Sequence, residues 1–169
     1  IACFGAIRPL KNQLIQAVSA IDFGEWLDTP INFHMNADRI EQLGGPVLKN
    51  IKALFDHSPR HKLVLHEWMD HHTFLNVLTT MDVSMQVSFS ESFNIVSADA
   101  VSVGIPIVVS PEIYWASNVF KVGCTNREDI TSKLIFAYNS SFYNLQHLNK
   151  LKLLKTAKNA ADIWVDYFK

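Results

Sequence analysis

SFSESFNIVSADAVSVGIPIVVS, residues Ser88 to Ser110, is the stretch that decides how the chain folds. The β-rich run Val83–Phe89 enters Ser90-Glu91-Ser92, where either serine can cap a following helix. Phe93–Val103 has helical character and stops at Gly104, a residue suited to the left-handed position after a helix end. Pro106 blocks any continuation. Ile105–Ser110 is then apolar on both faces, as in a parallel strand covered from two sides. The segment reads as strand, helix, strand.

The same alternation runs outward in both directions. Further strands are expected at Ile1–Gly5, Ile31–Met35 and Lys62–His66, with a weak one at Lys121–Cys124. Further helices are expected at Asn12–Ile21, Pro46–Asp56, His72–Thr80 and Glu128–Ser140, with a long last one over Leu145–Phe168. Such alternation gives right-handed βαβ units, hence an α/β fold with a doubly wound parallel sheet. With 169 residues and no linker or repeat, the chain reads as one domain. It opens inside a strand, which suggests a domain of a longer protein.

Composition removes several classes of function. Apolar residues make up 49% of the chain, which supports a packed core rather than disorder. No apolar run reaches the ~20 residues of a membrane-spanning helix. A net charge of −1, with no basic face before the last helix, leaves no footprint for nucleic acid. Cys3 and Cys124 are too few and too far apart for a disulfide framework or a zinc site, so a reducing, cytoplasmic location is expected.

In doubly wound sheets ligands sit beyond the carboxyl ends of the strands. The amides of Phe93, Asn94 and Ile95 would open the fourth helix as an anion site, with Ser92 beside them. Glu91 and Asp99 are eight residues apart, roughly 12 Å if the interval is helical. By spacing alone the favoured reading is plain: Glu91 a first-turn acid suited to the helix dipole, and Asp99 solvated. Arg8 and Lys11 lie at the start of the first helix, where cations oppose the macrodipole. A bound phosphate would explain them; so would ordinary surface exposure.

Read together, these segments resemble the retaining glycosyltransferases of family 4, built from two Rossmann-like halves in the GT-B arrangement. The likeness covers the whole chain and matches the C-terminal half of those enzymes. It rests on Glu91, seven residues, Asp99, then Gly104-Ile105-Pro106-Ile107-Val108-Val109, together with Lys11-Asn12 in the first loop. The family has a second Glu where Asp99 stands and an Arg where Ala6 stands, with Arg8 the nearby cation. The resemblance implies a domain that binds a nucleotide-diphosphate sugar, with the acceptor-binding domain absent from this chain. It implies sugar transfer with retention, without a metal or other cofactor. Glu91 would then contact the donor sugar and Asp99 the ribose. Lys11, helped by Arg8, would hold the diphosphate with the amides of Phe93–Ile95.

LHEWMDHHTFLNVL, starting at Leu65, holds His66, Glu67, Asp70, His71 and His72 but lacks the two-histidine helical spacing of a zincin. By the same resemblance this loop would cradle the donor base, with Trp68 and Met69 as contacts; alternatively they cap the core. Tyr114 and Trp115 either border the cleft or pack on the domain edge. The last helix interleaves Leu148, Leu151, Leu154, Ala161, Trp164 and Phe168 with Lys150, Lys152, Lys155 and Lys158. Docking of its apolar face on the domain is favoured over contact with a membrane surface. Two other classes share this architecture: a nucleotide-sugar epimerase and a non-catalytic nucleotide-sugar-binding domain. A dehydrogenase is disfavoured because the first turn lacks G-x-G-x-x-G.

Overall fold

The computed structural model describes residues 1–168. Two parallel ladders form its sheet: β1 (Asn32–Asn36) with β2 (Lys62–His66), and β3 (Ser84–Gln86) with β4 (Ile107–Val109). Ala2 joins them, bridging in parallel to His34 on one side and Ser84 on the other. Its own amide donates to Val83 O, while Cys3 N donates to His34 O, both at 2.8 Å. Lys121 adds a last parallel bridge to Val109. Counted along the chain, the strand order is third, second, first, fourth, fifth, sixth. The expected strand at Ile1–Gly5 is thus central but reduced to a bridge, and Lys121–Cys124 shrinks to one bridging residue.

Both sheet faces are buried because β3 and β4 are buried at every position. Cys3, Phe33, Met35, Met85 and Val108 belong to a core under α1 (Gln13–Trp26), α2 (Gly45–Asp56) and α5 (Arg127–Ser140). Ala2, Phe4, Ile107 and Val109 belong to a second core under α3 (His71–Leu78) and α4 (Ile95–Ser102). The period-2 alternation of each strand feeds two separate cores, which is what double winding requires.

Two expectations change here. The fourth helix starts at Ile95, not Phe93, and neither Ser90 nor Ser92 caps it. Asn94 does so: its backbone is left-handed (φ 57°) and its side chain accepts from Ser97 N. The stretch from Glu91 to Asn94 is therefore loop, so a purely helical spacing does not describe Glu91 and Asp99. At the other end, Ile105 N donates to Ala100 O and Gly104 N to Val101 O, with Gly104 at φ 88°. That is the Schellman closure a left-handed glycine permits.

The second change concerns α6 (His147–Tyr167), which docks through Asn149 and Leu153. Leu151, Leu154, Trp164 and Phe168 are all more than half exposed. For Trp164 and Phe168 the reason is length. At 21 residues α6 is about 31 Å long, whereas the eight-residue α4 it packs on is about 12 Å. Among the described residues no helix is long and apolar enough to cross a membrane.

The loop after β1 folds back on the segment after the central strand. Ile7 N donates to Arg39 O, Glu41 N to Ile7 O, and Ile7 bridges to Ile40. A Cβ on Gly44 would lie 2.0 Å from Ile7 O, closer than any packing permits. Gly44→Ala should therefore destabilise the domain by at least ~1–3 kcal/mol, the usual cost of overpacking. At Gly45 an added Cβ meets nothing within 4 Å. Gly45→Ala should be neutral or stabilising by roughly 0.4–1 kcal/mol. Urea denaturation of both variants checks the contrast.

Candidate functional site

The strand order reverses between the central segment and β3, and the loops leaving those two strands meet there. Their backbone groups run out of ladder partners, so side-chain amides take over. Asn12 is left-handed (φ 56°), and its Nδ2 donates to Val87 O at 3.1 Å and Cys124 O at 2.8 Å. Gln16 donates to Lys11 O at 2.7 Å and accepts from Val87 N at 2.9 Å. Gln86 donates to Phe4 O at 2.8 Å and accepts from Asn94 Nδ2 at 3.1 Å. Gln13 donates to Ala6 O at 3.0 Å. All five amides are buried.

Held by this network, Lys11 and Glu91 form an ion pair directly across the reversal point. They line an open cleft of about 330 Å³ with Ser92, Phe93, Asn94, Ile95 and Val96. Among the described residues, no group accepts from the amides of Ser92, Phe93, Ile95 or Val96. Ile95 and Val96 also line the neighbouring cleft, of about 420 Å³, so the two adjoin. Gly5, Asn36, Asp38, Trp68, Met69 and Asp99 lie around that second cleft. Gly5 turns there at φ 120°, and its amide donates to Asn36 Oδ1 at 2.9 Å. Asp38 accepts from the Trp68 amide, and the Trp68 ring remains 69% exposed.

The structure therefore brings Lys11, Glu91, Ser92, Phe93, Asn94 and Ile95 to one cleft, and Trp68, Met69 and Asp99 to the next. Arg8 lines neither. Its Nη1 lies 3.7 Å from Glu41 Oε2 on the β1–α2 loop. Trp115 is buried and donates to Phe93 O at 2.6 Å, whereas Tyr114 is exposed. The histidine-rich segment disperses. Asp70 caps α3 by accepting from Thr73 N, His72 meets Asn76, and His71 Nε2 lies 3.1 Å from Asp99 Oδ1. Bonding to Thr73 holds the Asp70 carboxyl below its ordinary pKa. Among the described residues no three His, Cys, Asp or Glu side chains converge as a metal site.

Asn36, Asp38 and His71 also line the larger cleft, and sequence reading did not single them out as contacts. His71 stood inside a segment already singled out, but nothing in its spacing points to Asp99, 28 residues on.

Beneath the larger cleft, His66 packs edge-on against Phe4 and its Nε2 lies 2.9 Å from His34 Nδ1. Such a contact needs one donor and one acceptor, so at least one of the two rings is neutral. Burial pushes His34 down to about 4, with the charged amino terminus next in effect, and burial lowers His66 too. A base whose folded pKa is depressed contributes stability above its unfolded pKa of ~6.5 and loses it as pH falls toward the folded value. His34→Phe should therefore lose less of its urea midpoint than the wild type between pH 7 and pH 5. Equal losses would refute the depressed pKa of His34.

Asn12→Gly keeps the left-handed backbone but orphans Val87 O and Cys124 O. It should cost ~1–3 kcal/mol in denaturant titrations, the usual penalty for buried unpaired groups.

No family model matches the chain, and no curated protein matches it in sequence. Solved structures do match. An α,α-trehalose-phosphate synthase (UDP-forming) from Burkholderia xenovorans, in complex with glucose-6-phosphate, superposes with a TM-score of 0.76 at 12% identity. The match covers 99% of this chain and 42% of that one. The E. coli trehalose-6-phosphate structure bound with UDP-2-fluoro glucose gives a TM-score of 0.75 at 12% identity, with the same coverages of 99% and 42%. The catalytic domain of cholesterol-alpha-glucosyltransferase from Helicobacter pylori gives 0.72 at 18% identity, over 95% of this chain and 98% of that one. The chain thus spans under half the length of the synthases it matches. Its doubly wound sheet is the Rossmann-like fold of GT-B glycosyltransferases, in keeping with their C-terminal half.

Proposed function

We propose that this chain is the donor-binding domain of a glycosyltransferase, transferring a sugar from a nucleotide diphosphate with retention and without a metal. The observation that carries the reading is the pair of adjoining clefts at the strand-order reversal. One end carries a lysine, a carboxylate and unpaired amides, the other an exposed tryptophan and the carboxylates Asp38 and Asp99. A nucleotide sugar has matching chemistry in matching order.

In this reading the base lies against Trp68 and Met69, and the ribose hydroxyls donate to Asp99. The diphosphate crosses Ile95 and Val96, where the amides of Ser92–Val96 and Lys11 stabilise the charge that develops as it leaves. Arg8, turned toward Glu41, adds positive potential from outside the clefts. Glu91 faces the sugar. The acceptor requires a further domain beyond these 169 residues.

Asp99 is the discriminating residue to test. Asp99→Ala should weaken a nucleoside diphosphate and its sugar conjugate alike. The expected loss is ~1.5–3 kcal/mol, or about tenfold to a hundredfold. Calorimetry with uridine, adenosine and guanosine diphosphates and their glucose conjugates measures it. Unchanged affinities for the ligand that binds best would refute the ribose assignment.

A further inference from the structure

The Lys11–Glu91 pair joins loops 80 residues apart, with the lysine side chain 13% exposed and the carboxylate 5%. A carboxylate held that deep is costly unless its charge is met, and Lys11 meets it. Around the smaller cleft everything else favours an anion. The amides of Ser92, Phe93, Ile95 and Val96 have no acceptor among the described residues, and Glu91 is the one acidic side chain lining it. Glu91 thus occupies, electrostatically, the place of a phosphate.

Resting on the donor-binding reading above, we infer that Glu91 is the site's own anion, which disfavours a bare nucleoside diphosphate and so selects for the sugar conjugate. A diphosphate entering alone must take Lys11 away from Glu91. That leaves a buried carboxylate without its cation, beside a phosphate of the same sign. A sugar conjugate brings hydroxyl donors that can bond the carboxylate oxygens the lysine has released. The penalty then falls mainly on the diphosphate that remains after transfer. Glu91 is in this sense a specificity-determining residue and promotes product departure.

The test compares inorganic pyrophosphate, a nucleoside diphosphate and its glucose conjugate by calorimetry on wild type and Glu91→Gln. Glutamine keeps the size and a hydrogen-bonding carbonyl but removes the charge. Pyrophosphate and the nucleoside diphosphate should bind about tenfold tighter or better to Glu91→Gln, equivalent to ~1.4 kcal/mol. The conjugate should gain less or lose affinity, so its preference over the diphosphate collapses. Lys11→Met in the Glu91→Gln background should abolish the gain. Glu91→Asp, which withdraws the charge by one methylene, should shift the same ratio in the same direction and serves if Glu91→Gln does not fold. Wild-type binding with no gain in either variant overturns the inference and leaves the donor site standing. Absence of binding to all three ligands by wild type and variants alike would overturn the donor-binding reading itself.

Discussion

Parallel strands can share backbone hydrogen bonds only while they run side by side, and at the reversal point two of them stop doing so. The loops leaving the central segment and β3 diverge there with their amides and carbonyls buried, and such groups demand partners. Asn12, Gln13, Gln16, Gln86 and Asn94 answer that demand with side-chain amides, each able to donate and accept at once. A network of this kind is worth having only when complete. Its completeness fixes the backbone on which Lys11, Glu91 and the α4 amides are mounted, so the site's geometry follows from a folding constraint.

The electrostatics of the site rest on that frame. Lys11 precedes α1 and Glu91 precedes α4, and neither location gives the charge a reason to be buried. Packing brings them together because the loops are clamped, and each then neutralises the other. The neighbouring carboxylate Asp99 has a different setting. It sits within α4 on the wall of the larger cleft, partnered by an exposed histidine from the adjacent helix. Two acids on one short segment therefore meet distinct surroundings, one among amides and a lysine, the other beside an imidazole and an open aromatic face.

Much of the fold was legible in the sequence because it depends on local period and punctuation. Ile105–Ser110, apolar on both faces, and Gly104 before it announce a covered strand after a capped helix, and both are found. The strand order was not legible, since pairing of Ala2 with Ser84 leaves no trace in spacing. The cap of α4 was misread for a related reason. Serine is the commoner signal, but only Asn94 combines a left-handed backbone with an amide that reaches Gln86. Lys11, Glu91 and the residues after it line one cleft, whereas Arg8 pairs with Glu41, a partner 33 positions on that sequence alone does not single out. The long basic helix was expected to lie down on the domain. Its apolar periodicity is real, yet periodicity says nothing about how long the surface beneath it is.

The central position of the Ala2 segment also bears on how the chain reaches this state. A strand that pairs with His34 on one side and Ser84 on the other closes loops of very different length. The shorter pairing, with β1, can form early at modest entropic cost, while the longer one must wait for about half the chain to be in place. Until then one edge of the central segment stays open, and so does every loop that depends on Gln86 and Asn94. On loop-closure grounds the half around α1, α2 and the β1–β2 ladder is the expected nucleus, and the Lys11–Glu91 end of the clefts consolidates after it. The cleft at Lys11 and Glu91 thereby depends on the pairing that closes the longer loop, so loss of that pairing would open the cleft while the β1–β2 ladder could persist.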